Sequence, residues 1–272
     1  MFECVINLSE GRDPATLRQL ASASGSSLRD LHSDEFHHRS VFTLINDRAP
    51  LVVDVRALIT AAYEWLNLSG HAGVHPRFGV VDVVPFVALN PDEFDHAVQL
   101  RDELAPWLAE NFHVPVFFYG PLSDGSVRTL PQVRHGAFTS LAPDAGPAQP
   151  SPRLGSVALG ARPLLVAWNI WLSGVTIDVA RTMAKAVRSE AVRSLAFQVG
   201  DAVQVSCNIV DVTHAKASEV YDLVLAMVPA GGAIDHAELV GLAPRAFVEN
   251  EDPQRWAQLG LSAQATIEAR SS

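Results

Sequence analysis

Three short stretches concentrate the side chains that do chemistry. INLSEG (6–11) carries Asn7, Ser9, Glu10 and Gly11 at a strand end. DLHSDEFHHRS (30–40) carries Asp30, His32, Asp34, His37, His38 and Arg39. SGHAGVHPRFGVVDVVPF (69–86) carries His71, Gly73, His75, Arg77 and Asp82. Histidine is the natural base near neutral pH. His75 precedes a rigid proline, and Arg77 stands two residues on. An arginine there can hold a carboxylate or stabilise developing negative charge. Gly73 lets backbone or ligand approach closely. Asp82 suits two roles equally, orienting an imidazole or serving as a half-buried structural carboxylate.

The histidines also raise metal chemistry. His-x-Asp-x-x-His-His with His-x3-His offers nitrogen and oxygen ligands for zinc or iron. However, His71 and His75 span a glycine and precede Pro76, so they are not a helical i,i+4 pair. There is no HExxH and no cysteine ligand. No metal is expected, and a metal-dependent hydrolase is the least favoured reading. Taken singly, His32, His37 and His71 read as surface or hydrogen-bonding residues of a hairpin. No GxSxG, Walker loop or GxGxxG competes.

These groups need a scaffold. The chain has 272 residues, 48% apolar and 18% charged, which suits a compact protein of one large or two modest domains. A net charge of −10 opposes nucleic acids and anionic membranes, so an anionic ligand needs a locally basic pocket. The two cysteines, Cys4 and Cys207, give neither a disulfide framework nor a zinc site. MFECVINLSEGRD has no signal-peptide character and no run reaches bilayer length, so a cytoplasmic location is expected.

FECVINLS is a strand. Asp13-Pro14 starts a helix that stops near Gly25. SLRDLH and RSVFTLI are strands, 51–67 an amphipathic helix, and GVVDVVPFVAL a buried strand. PLLVAWNIWL, a helix over 176–192, SLAFQV, AVQVSCNIVDV, a helix over 214–228 and IDHAELVGLAP repeat the order β-α-β-β-α-β. The expected fold is α+β: two tandem ferredoxin-like βαββαβ sandwiches with antiparallel sheets and helices packed on one face, over 1–150 and 151–272. Between them, NPDEFDHAVQLRDELAPWLAENF is a helix kinked at Pro106, and VPVFFYG is a strand. The Pro/Gly/Ser-rich 121–163 reads as a linker that covers a site. Asn7 and Asn169 occupy equivalent first strands.

The chain resembles glutamate formimidoyltransferase, which also forms the N-terminal part of formimidoyltransferase-cyclodeaminase. The resemblance runs through ECVINLSEG, HRSVFTL, GHAGVHPRFGVVDVVPF, VPVFFYG, LPQVRHGAF, DAGP, LGSVALGARPLLVAWNIWL and ELVGLAP. It implies a folate site between two ferredoxin-like subdomains and a homodimer. It implies transfer of a formimidoyl group from N-formimino-L-glutamate to N5 of tetrahydrofolate, the co-substrate, in histidine breakdown. The catalytic histidine of the family's His-Pro-Arg is His75 here. The folate-contacting loop matches GPAQPSPRLG, with Gly146, Pro147, Arg153, Leu154 and Gly155. Asn7, Asp34, His38, Arg39, Arg77, Asp82 and Asn169 are the substrate-binding candidates, and Arg162 is a further cation. Animal members carry Glu where this chain has Val74 and Asp where it has His32, and they have a basic insertion in the second subdomain. A folate-binding one-carbon transferase with another donor is therefore the alternative.

Overall fold

A computed structural model describes residues 1–271. The chain divides into two compact units, Met1–Pro163 and Leu164–Ser272. The division falls after Pro163 rather than after residue 150, because a strand of the first unit lies between these points. No helix of the described residues is long and apolar enough to cross a membrane.

The first unit runs β1 (Phe2–Leu8), α1 (Pro14–Ala23), β2 (Leu28–Asp34), β3 (Arg39–Asn46), α2 (Arg48–Trp65), β4 (Val81–Ala88), α3 (Phe94–Phe112), β5 (Val116–Pro121), β6 (Val127–Arg128), α4 (Leu130–Gly136) and β7 (Val157–Ala161). The Asp13 carboxylate caps α1 by accepting from the Ala15 N–H, with Pro14 in the first turn. α3 runs through Pro106 to Phe112.

The seven strands lie in the order β2-β3-β1-β4-β7-β5-β6. The first four are antiparallel. β7 is parallel to both β4 and β5, so the sheet is not antiparallel throughout. The reason is α3, a crossover helix that returns the chain for a parallel strand. β5 lands one place beyond β4, and β7 later fills the gap. The stretch 121–163 is therefore no plain linker: it holds β6, α4 and a fully buried central strand.

α1, α2 and α3 cover one face, packing Leu20, Leu58 and Leu104 with Ile6, Phe42, Phe86 and Leu159 of the strands. α4 departs from the expected one-sided packing. Its Val133 joins Val83, Phe117, Tyr119 and Ala158, which point the other way by strand alternation.

The second unit runs β8 (Val166–Ser173), α5 (Ile177–Ala186), β9 (Val192–Val199), β10 (Ala202–Ile209), α6 (Ala217–Ala226), β11 (Ala233–Val240), α7 (Arg245–Glu249) and α8 (Ile267–Ser271). Its sheet is antiparallel, in the order β11-β8-β10-β9. α5 and α6 pack on the face formed by Trp168, Ile170, Val203 and Val205. α5 ends at Ala186, short of the expected 192. The Ser189 hydroxyl accepts from the Ala191 and Val192 N–H groups and turns the chain into β9.

Candidate active site

The site is built on a one-residue irregularity. Asn7 of β1 faces Val83 of β4, and Leu8 faces Val81, leaving Asp82 as an extra residue. Such a bulge re-aims its side chain. The Asp82 carboxylate is fully buried. Its Oδ2 accepts from Arg39 Nη1 and, at 2.6 Å, from Arg134 Nη2. Its Oδ1 accepts from the Phe78 N–H. Burial alone would raise this carboxyl, but Arg39 and Arg134 outweigh it and hold it at about 2.

Arg39, at the start of β3, is fixed on a second side. Asn7 Oδ1 accepts from its Nε at 3.1 Å and its Nη2 at 2.9 Å. Arg134 arrives from α4, whose start is set by a capping box between Thr129 and Gln132. Its Nη1 lies 3.4 Å from the Pro76 carbonyl oxygen.

That carbonyl also takes the candidate base: His75 Nδ1 is 2.6 Å from Pro76 O. A carbonyl only accepts, so Nδ1 carries the proton and Nε2 the lone pair. Burial, then the Arg39 charge, pushes the imidazole down to about 3, against the pull of Asp82. His75 is neutral at neutral pH, and its proton affinity is far below the ordinary histidine value that the sequence suggests.

The loop bearing His75 is shaped by Arg77. Its guanidinium donates to the carbonyls of His71 (2.8 Å), Gly73 (2.8 Å) and His75 (3.2 Å) and lies against His71 Nδ1. It organises the loop from within. Gly73 is needed for contact: a Cβ there would sit 2.4 Å from the His37 carbonyl oxygen. The Val74 N–H donates to Phe36 O at 3.1 Å, and His38 Nδ1 lies 3.1 Å from Ala72 O. His38 stacks on His71 at 3.8 Å, with its Nε2 3.4 Å from Glu10. Burial, His38 and Arg77 push His71 down to about 4. Asp34 Oδ1 accepts from the His37 N–H at 2.7 Å and fixes that turn, and the His37 ring stands edge-on to His75 at 6.0 Å.

The segment expected to touch folate braces this loop from behind. Leu154 lies in the core. Arg153 Nη2 donates to Tyr63 O (2.6 Å) and Glu64 O (2.9 Å), tying off α2. Gly155 presses on Gly79: an added Cβ would meet its Cα at 2.6 Å. Gly146 sits against Val114 O, and Pro147 is exposed.

Asn169 belongs to the second unit. Its Nδ2 donates to Glu238 Oε1 at 3.0 Å, which also accepts from Trp171 Nε1 (2.7 Å) and Gln204 Nε2 (3.5 Å). Trp171 stacks on His236 at 5.6 Å. These groups line the sheet face opposite α5 and α6.

The structure thus joins Asn7, Arg39 and Asp82 to the His75 loop, and gives Asp34, His38, Arg77, Arg153, Leu154 and Gly155 structural contacts. Sequence reasoning passed over Arg134, Trp171 and Glu238. Arg134 lies within LPQVRHGAF, where the Thr129–Gln132 cap was the available signal. No group of three or more His, Cys, Asp or Glu side chains among the described residues is placed to hold a metal ion.

A sequence profile described as the formiminotransferase domain, N-terminal subdomain, matches residues 1–162, the whole span that builds the Asp82 cluster. The chain belongs to the formiminotransferase family. A glutamate formimidoyltransferase of Thermoplasma acidophilum is 31% identical over 268 residues, covering 90% of this chain and 88% of that protein. One of Streptococcus pyogenes serotype M1 is 30% identical over 266 residues, covering 90% and 89%. The formimidoyltransferase-cyclodeaminase of Sus scrofa is 33% identical over 184 residues, which span 62% of this chain and 34% of that larger protein. This formiminotransferase is accordingly an enzyme of the transferase class, and its family membership supports formimidoyl transfer.

Proposed function

We propose that this formiminotransferase moves a formimidoyl group from N-formimino-L-glutamate to N5 of tetrahydrofolate, with His75 as general base. The observation that carries the reading is the His75 imidazole, its Nδ1 fixed on Pro76 O beside the paired guanidinium groups of Arg39 and Arg134. Folate supplies a secondary amine as nucleophile. His75 Nε2 takes the proton released at that nitrogen as the new C–N bond forms. It returns a proton to the departing glutamate nitrogen, so the imidazole ends neutral. Arg39 and Arg134 receive a donor carboxylate, held in place by Asn7 and Asp82.

In the second unit, Asn169, Trp171, Gln204 and Glu238 combine a carboxylate, neutral donors and an indole face. That chemistry suits a planar heterocycle with N–H groups. In the 146–155 segment, Pro147 lies in an exposed run over 146–150 that is open to ligand contact. Each unit contains a four-stranded antiparallel sheet with two helices on one face in the ferredoxin-like order, which supports two tandem sandwiches. A homodimer belongs to the same reading.

A second reading, a one-carbon transferase with a different donor, is favoured by Val74 and Phe36. They are 42% and 47% exposed and bonded to each other beside the His75 loop. One assay separates the two. Protein with formimino-glutamate and tetrahydrofolate is expected to yield 5-formimino-tetrahydrofolate, and His75→Ala to lower kcat by about two to four decades. Folate binding without consumption of formimino-glutamate selects the second reading. Full activity in the variant removes His75 as the base.

A further inference from the structure

Two arginines converge on one oxygen of one carboxylate. Asp82 contributes a single negative charge, and Arg39 and Arg134 contribute two positive ones. The cluster therefore keeps one positive charge in excess, inside a chain whose net charge is −10. The layering is directional. The Asp82 side chain is 0% exposed, that of Arg39 13% and that of Arg134 23%, so the cations reach outward over a buried anion. An uncompensated buried charge is costly, and an incoming anion relieves that cost.

The two arginines are held differently. Arg39 is engaged through Nε, Nη1 and Nη2 by Asn7 and Asp82. Arg134 has one short bond to Asp82 and a long one, 3.4 Å, to Pro76 O. That oxygen is the one on which His75 Nδ1 rests. Arg134 and His75 thus share an acceptor, and any ligand that draws Arg134 toward itself acts directly on the imidazole's support.

We infer that Arg134 completes, with Arg39, a two-arginine receptor for a ligand carboxylate, and that filling this receptor readies His75, with which Arg134 shares the Pro76 carbonyl, to accept a proton. The inference deepens the transferase reading and rests on it for the identity of the ligand, an amino-acid dicarboxylate. The charged and titratable groups around His75 are Arg39 from β3, Asp82 from β4, Arg134 from α4, His37 from the β2–β3 turn and Arg77 from its own loop. Arg39 and Arg134 both depress the imidazole, and a ligand anion neutralises that influence. The burial that depresses it further is unchanged. The base therefore gains strength when the anionic donor is in place and stays inert otherwise.

The test needs neither folate nor turnover. The full chain, labelled with 15N at histidine, is titrated by NMR between about pH 5 and 8, alone and with saturating glutarate or its neutral isostere glutaramide. Without ligand, His75 is expected to stay neutral throughout. Glutarate is expected to raise its midpoint from about 3 into the titrated range, by about two pH units or more, a hundredfold in proton affinity, and glutaramide to leave it unmoved. Arg134→Gln is expected to abolish the glutarate effect and Arg134→Lys to restore part of it, with thermal melts recorded on both variants. A His75 resonance indifferent to glutarate in the unaltered chain overturns the inference, as does an equal shift in Arg134→Gln. Glutarate coupling in a chain that fails the formimidoyl assay overturns the donor assignment and leaves the receptor standing.

Discussion

At the scale of single residues, the site is a balance of buried charges. Removing the Asp82 charge leaves two guanidinium groups facing each other, and breaking a buried pair in this way costs about 3–5 kcal/mol. Asp82→Asn is expected to lose stability in that range by urea denaturation. The carboxyl is held at about 2 in the fold and titrates near about 4 when unfolded. Its stabilising contribution is therefore complete above about pH 4 and is lost as pH falls toward about 2. Glu3 behaves oppositely. Its side chain is buried, and burial raises it to about 7 although Arg162 pulls it back. The unfolded carboxyl ionises near about 4.3, so stability falls as pH rises from there to about 7. Glu3→Gln is expected to melt at a rising margin over the parent as pH goes from about 4 to 8. His75, Arg39 and Asp82 were legible in the sequence because residue type and local spacing mark them. Arg134 was not, because it meets Asp82 only through the packing of α4, fifty-two residues away along the chain.

At the scale of elements, local chemistry marked some segments and hid others. Asp13-Pro14 announced α1, and short apolar runs announced β1, β3 and β8. β7 was invisible. Its sequence, VALGA, holds two alanines and a glycine, so a central strand reads as part of a loop. The small residues have a reason: a Cβ at Gly160 would meet the Tyr119 ring at 2.2 Å. The brace ahead of β7 is as tight. Gly155 has φ +73 and abuts Gly79. Gly155→Val is expected to cost about 1–3 kcal/mol by overpacking, with backbone strain added, and to lower activity by displacing the His75 loop. Denaturant melts and the transfer assay measure the two effects. Arg153→Ala removes donors to α2's last carbonyls and is expected to act on stability rather than on folate affinity, a contrast that calorimetry with tetrahydrofolate reads.

At the scale of the molecule, each unit owns a core. The first is built around Ile6, Phe42 and Phe86 and the second around Trp168 and Ile170. The repeated element order was readable from the sequence; the extension of the first sheet was not, because parallel pairing carries no local mark. The boundary has a direct test. A fragment ending at residue 163 is expected to unfold cooperatively by circular dichroism. One ending at residue 150 lacks β7, leaves β4 and β5 unpaired along facing edges, and is expected to aggregate or melt without a clear transition. The same arrangement bears on biosynthesis. The chain leaves the ribosome N-terminus first, so β4 and β5 emerge well before the strand that joins them. Throughout the intervening stretch two open hydrogen-bonding borders face one another with nothing between. Slow codons or stalling there would lengthen the interval in which the nascent protein is most in need of a chaperone.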